Sequence, residues 1–115
     1  MQPTFVVNAE KHPLSSEWRE RVVSGIIASL SSFPEIEKIM LFGSFVTSDA
    51  PNDIDIAVFQ NSDENYLTLS LKYRKALRSL GKTIPLDVLP LKKGSHGLFI
   101  QEEIAQGKVI YEKGD

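Results

Sequence analysis

Two runs of four consecutive apolar residues, Ile39 to Phe42 and Ile56 to Phe59, constrain this chain more than any other feature. A strand with one wet face alternates apolar and polar residues, so a strand that is apolar at every position must be covered on both faces and lie inside a sheet. The first run follows Ile36-Glu37-Lys38 and stops abruptly at Gly43-Ser44. The second follows Asp53-Ile54-Asp55, an alternation that marks a strand entering the core from a polar end. Neither run approaches the ~20 apolar residues needed to span a bilayer, so no membrane span is expected.

Helices and further strands are expected around these two. Ser15 or Ser16 can cap a helix over about 16–31, with Glu17 in its first turn and Trp18, Val22, Val23, Ile26, Ile27 and Leu30 at helical spacing. After the turn chemistry of Asn61, Ser62 and Asp63, the residues Tyr66, Leu69, Tyr73, Ala76, Leu77 and Leu80 form a second stripe, with Gly81 placed to end it. Residues 83–89 then read as a third strand, with Pro85 favouring an edge or early position. A short helix over about 97–106 and a last strand over 109–111 complete the order α, β, turn, β, α, β, α, β. Residues 1–13, with a short extended run from Thr4 to Val7, read as an N-terminal arm, and 14–115 as one domain.

Composition removes several classes of function. The chain has 115 residues, 42% of them hydrophobic and none of them cysteine, so disulfides, thiolate catalysis and cysteine-based zinc sites are excluded. The opening MQPTFVVNAEKHP lacks the basic and long apolar regions of a secretion signal, and a cytoplasmic location is expected. A net charge of −2 argues against extended nucleic-acid binding, which depends on neutralising phosphates with Lys and Arg. That charge is segregated. Residues 39–65 hold five acids and no base, and residues 66–93 hold seven bases and one acid, Asp87.

The acids carry the chemistry. Asp53 and Asp55, at i and i+2 of a strand, point to one face and are close enough to share a hard cation such as Mg²⁺. Asp87 sits within Ile84-Pro85-Leu86-Asp87-Val88-Leu89, where an ionised carboxylate needs a cation, either a metal or a base of the preceding helix, unless it lies on a wet sheet face. If the two strands are neighbours, three carboxylates converge as a two-metal site requires. Gly43-Ser44 offers a close backbone approach, a hydroxyl and the N–H groups of a new helical turn to a phosphate, or it is a simple turn.

Taken together, Leu41-Phe42-Gly43-Ser44, then Asp53-Ile54-Asp55-Ile56, then Leu86-Asp87-Val88 resemble the signature of the minimal nucleotidyltransferases (MNT) of the DNA polymerase beta superfamily, of the HEPN/MNT toxin–antitoxin type. The likeness extends from about Leu14 to Tyr111. It implies an α+β fold, a small mixed sheet flanked by helices, and transfer of a nucleoside monophosphate, AMP from ATP, to a hydroxyl with release of pyrophosphate. By resemblance, Gly43 and Ser44 would hold the nucleotide phosphates, Asp53 and Asp55 would bind two Mg²⁺ ions, and Asp87 would be the third acid. The partner it implies is a HEPN-like helical toxin, with this chain as antitoxin in a homo- or hetero-oligomer. The chain departs from the family in a shorter turn before Asp53 and in having Phe45 and Val46 where a base often follows Gly-Ser. A fold that neutralises its partner by binding alone is the alternative.

Among other residues, Lys72, Lys75, Arg78 and Lys82, or Lys92-Lys93, could supply phosphate charge or form a solvated face. His96, between Ser95 and Gly97, reads as a loop or helix-start residue and not as a general base, and His12 stands beside Pro13 with no partner evident in the sequence. Trp18, Tyr66 and Tyr73 read as core, with Tyr66 also placed to stack on a nucleobase.

Overall fold

The structure, a computed structural model, describes residues 16–48, 51–82, 84–92 and 106–114. The expected arm over 1–13, most of the expected helix over 97–106, His12, Lys93 and His96 lie outside those residues; Gln106 itself lies in a turn. Helix α1 spans Ser16–Leu30, strand β1 Ile36–Phe42, the one-turn helix α2 Ser44–Thr47, strand β2 Ile54–Gln60, helix α3 Tyr66–Ala76, strand β3 Leu86–Lys92 and strand β4 Lys108–Glu112. The described strands form one sheet in the order β3-β2-β1-β4. β1 pairs antiparallel with β2 and with β4, and β2 pairs parallel with β3, so the fold is α+β with a mixed sheet.

The two all-apolar runs become the two central strands. Ile39 and Leu41 of β1, with Ile54, Ile56 and Val58 of β2, face a core completed by Val22, Ile26 and Leu30 of α1, by Leu69 and Tyr73 of α3, and by Val88. Met40, Phe42 and Ala57 are buried in a second cluster with Phe59, Leu89 and Leu91. Alternation along each strand therefore sends side chains to two separate cores.

β3 begins later than the sequence suggests, at Leu86 instead of residue 83, and continues through Pro90 to Lys92. Pro90 has no N–H to give to a ladder, and β3 tolerates it because β2 is its only neighbour among the described strands. Helix α3 is capped by Asn65, whose side chain accepts from the Thr68 N–H at 2.8 Å. It ends at Ala76, before the expected stop, and a 3-10 turn over Leu80–Lys82 contains Gly81. Gly25, in the middle of α1, lets Leu80 pack close: a Cβ there would lie 3.1 Å from Leu80 Cδ2.

A polar cluster fastens α3 to the start of β1. The buried Tyr73 donates its hydroxyl to Glu35 at 2.9 Å, and Lys72 bridges Glu35 at 2.8 Å and Glu64 at 3.1 Å. Phe33 stands edge-on to the Tyr73 ring at 5.4 Å and carries Lys72 over its face. Burial pushes the Glu35 carboxyl up, but hydrogen bonds from Lys72, a backbone N–H and Tyr73 outweigh burial and hold it below its usual 4.5. Burial, with Glu35 second, raises Tyr73, and Glu35 raises Lys72.

The sign of each effect sets its pH window. The lowered Glu35 contributes stability above about pH 4.5 and loses it as pH falls through the folded value. The raised Tyr73 and Lys72 contribute fully below their ordinary values and lose that contribution in alkali. Glu35→Gln is therefore expected to lower stability by about 1–3 kcal/mol at pH 7, because it leaves Lys72 and Tyr73 with a weaker acceptor. Urea unfolding at a series of pH values checks this: the gap from wild type should narrow below pH 4.5, where wild type loses the same carboxylate.

Candidate active site

Register brings the three acids together. Phe42 at the end of β1 pairs with Asp55 of β2, and Asp55 pairs with Asp87 of β3. Asp53 immediately precedes β2, and the alternation of the strand sets it on the same face as Asp55. Asp53, Asp55 and Asp87 each offer a carboxylate oxygen, and these oxygens all lie within 4.8 Å of one another. Asp53 and Asp55 are half-buried, whereas the Asp87 side chain is 64% exposed.

This exposure agrees with the wet-face alternative that the sequence leaves open for Asp87. Asp87 sits in an apolar stretch of sequence, but its strand lies at the edge of the described sheet, so its carboxylate reaches water. Its charged neighbour is Arg74 of α3, at 4.0 Å, a distance and exposure at which an ion pair contributes little. Arg74 is a base of the preceding helix, the kind of partner the sequence offers Asp87; which base of that helix it is depends on how α3 packs along β3. Of the bases that were singled out, Lys72 is held by Glu35 and Glu64, and Lys92 by the Ser62 carbonyl and by Asp63 at 3.7 Å.

Tyr66 departs from expectation. It is 55% exposed instead of core, and it helps to line a depression of about 400 Å³ with Phe42, Asp55, Arg74, Asp87 and Leu89. Tyr73 is buried as expected, and Trp18 is half-buried against Phe45.

The turn after β1 meets the acids from the other side. Gly43 has φ +76° and ψ −155°, a combination essentially confined to glycine. Its backbone lies so close to Asp55 that an added Cβ would stand 2.2 Å from Asp55 Oδ2. Both facts exclude any other residue without movement of the carboxylate. Ser44 opens α2, and its hydroxyl lies 3.4 Å from Asp53 Oδ1. That is long for an O–H···O bond, so the hydroxyl is loosely held beside the acids. The leading N–H groups of any helical turn have no partner within the turn, and here the turn begins at the acid cluster.

Three carboxylates are a donor set for a hard divalent cation. Opposite ligands of one octahedral Mg²⁺ lie ~4.2 Å apart, and a two-ion bracket is wider, so oxygens within 4.8 Å fit either with small side-chain adjustment. Gly43→Ala is expected to cost about 1–3 kcal/mol, from backbone strain and the clash with Asp55. It should also weaken Mn²⁺ binding by about tenfold or more if the acids hold a metal. Thermal unfolding and Mn²⁺ titration measure the two effects separately.

The pattern of the polymerase beta nucleotidyltransferase family matches residues 24–115. Among curated proteins none matches the chain. Among solved structures, a chain of the Shewanella oneidensis complex of tri-AMPylated HEPN toxin with MNT antitoxin superposes with a TM-score of 0.57 at 25% identity, covering 83% of this chain and 73% of that one. A candidate nucleotidyltransferase from Sulfolobus solfataricus gives 0.60 at 20% identity, covering 84% and 86%. A toxin–antitoxin structure with AMP-PNP gives 0.56 at 24% identity, covering 79% and 73%. The last two likenesses are of fold alone. With a glycine-bounded turn and three acids gathered at the end of a mixed sheet, and with the family pattern spanning most of its length, the chain belongs to the polymerase beta nucleotidyltransferase family.

Proposed function

We propose that this protein is a Mg²⁺-dependent nucleotidyltransferase that moves AMP from ATP to a hydroxyl on a HEPN-like partner protein, releasing pyrophosphate and acting as the antitoxin of that partner. The observation that carries the reading is the meeting of Asp53, Asp55 and Asp87 next to the Gly43-Ser44 turn. The partner is suggested by the Shewanella complex, in which an MNT antitoxin accompanies a tri-AMPylated HEPN toxin.

In this reading each residue has one task. Gly43 brings backbone N–H groups close to the phosphates, and the loosely held Ser44 hydroxyl donates to them. Asp53 and Asp55 would hold two Mg²⁺ ions and Asp87 would join them at one, on the side away from the turn. The ions, when bound, would neutralise the triphosphate and favour the acceptor's deprotonated form. Asp87, at the sheet edge, faces the depression lined by Tyr66 and Arg74, which gives the acceptor a path to the acids. Positioning and charge carry most of such a transfer, so a small domain suffices for the chemistry. An acceptor-binding surface would then belong to the partner.

The test mixes the chain with Mg²⁺, ATP and its co-purifying partner and weighs the partner by mass spectrometry. An AMP adduct is expected with wild type, and Asp53→Asn or Asp55→Asn should slow its formation by at least about a hundredfold while the complex still forms. Chelation of the metal should stop transfer as completely as the substitutions do. A tight complex with no adduct, unaffected by Asp53→Asn, would establish instead a module that neutralises by binding alone.

A further inference from the structure

Arg19 lies outside every motif discussed so far, yet it holds the turn on which the proposed nucleotide site depends. It projects from α1 and reaches residues 26 and 29 positions later in the chain. Its guanidinium donates from Nη1 to the Phe45 carbonyl and from Nη2 to the Ser48 carbonyl, the latter at 2.6 Å. The same group lies over the Phe45 ring, 4.8 Å from its centroid, while Trp18 flanks that ring at 6.2 Å. One side chain thus grips both the backbone and the aromatic anchor of α2.

A single helical turn does not hold itself, because its few hydrogen bonds do not repay the ordering of its residues. The bonds within α2 are Val46 and Thr47 N–H to the Gly43 carbonyl and Ser48 N–H to the Ser44 carbonyl. The carbonyls at its far end need donors from elsewhere, and Arg19 supplies a rigid fork that meets two of them at once. Helix α1 itself is fixed by Val22, Ile26 and Leu30 in the core. The position of Ser44 over Asp53 is therefore transmitted from the core through α1, Arg19 and α2.

Charge makes that position matter. Residues 39–65 include no Lys or Arg, so the turn offers phosphates only N–H and O–H donors of its own. The attraction of a point charge falls slowly with distance, but a neutral hydrogen bond weakens steeply with misalignment. A seat built from neutral donors depends on being held still.

We propose that Arg19 is a positioning residue: through α2 it fixes Gly43 and Ser44 for binding the phosphates of a nucleoside triphosphate. The proposal rests on the nucleotidyltransferase reading above. Arg19 does not touch the nucleotide in this account; its fork is turned to the two carbonyls.

The experiment titrates the full chain with MgATP and, separately, with Mn²⁺ alone, in wild type, Arg19→Met and Arg19→Lys. Asp55 and Asp87 stand on β2 and β3 and Asp53 immediately precedes β2, none of them on α2, so the two ligands separate positioning from general loss of structure. Arg19→Met is expected to weaken MgATP at least about tenfold while Mn²⁺ affinity stays within about twofold. Arg19→Lys should fall between, since an ammonium can meet a carbonyl but has no fork; it also decides the matter if the Met variant fails to fold. Amide exchange at residues 43–48 should rise in the order wild type, Lys, Met. Unchanged MgATP affinity in both variants would overturn the proposal, as would MgATP and Mn²⁺ affinities falling together. A wild-type chain that binds Mn²⁺ but not MgATP would overturn the nucleotidyltransferase reading, and this inference with it.

Discussion

The pairing of Phe42 with Asp55 across the two central strands is the constraint from which the site follows. Both strands are buried on both faces over their apolar runs, so a slip of one residue would exchange the two cores and expose each to the wrong layer. Register is thereby held by packing far from the acids. Once it is held, β1 must end beside Asp55, and the residue after Phe42 must turn away without a side chain. Parallel pairing with β3 then sets Asp87 opposite Asp55. The site is the polar margin of a sheet whose interior leaves it no choice of alignment.

Holding three acids together has a cost that the interior must offset. Two unit charges about 5 Å apart repel by roughly 1 kcal/mol in water and by about 3 kcal/mol at an effective dielectric of 20. Domains of this kind hold about 5–15 kcal/mol in all, so the repulsion is a sizeable fraction of the total. The exposure of Asp87 places that pair nearer the watery limit, which is one consequence of setting the third acid on the edge strand. The Glu35, Lys72 and Tyr73 cluster works in the opposite sense at the other end of β1, where opposite charges and a buried hydroxyl satisfy one another.

What the sequence made legible follows from the range of the interactions. The limits of β1 and the all-apolar character of both central strands are local patterns, and the structure keeps them. Gly43-Ser44 stands out because its chemistry is confined to adjacent residues. The end of α3 and the start of β3 differ from the sequence pattern: α3 ends at Ala76, a 3-10 turn over Leu80–Lys82 follows with Leu80 packed against Gly25 of α1, a distant contact that spacing does not encode, and β3 begins at Leu86. Tyr66 reads as core from its apolar stripe yet is 55% exposed at the first residue of α3. Which of the alternatives open to Asp87 holds depends on β3 lying at the edge of the described sheet, a fact of topology that spacing does not encode. A base of the helix before β3 was legible as a possible partner of Asp87, though not that it would be Arg74, and Arg19 carries no signal, since it meets its partners only across the folded chain.

Those two arginines divide the work of positive charge around an acidic centre. Arg74 stands in the open beside Asp87, where its ion pair is weak and easily exchanged for another partner. Arg19 donates to the neutral carbonyls of Phe45 and Ser48, where its charge strengthens hydrogen bonds. Were a base to sit among Asp53, Asp55 and Asp87, it would relieve their repulsion and compete with any cation for the same oxygens. Residues 39–65 supply no Lys or Arg beside Asp53 and Asp55, the exposed Arg74 is the base beside Asp87, and the support of the turn comes from a helix earlier in the chain. The segregation of charge along the sequence is the one-dimensional trace of that separation of tasks.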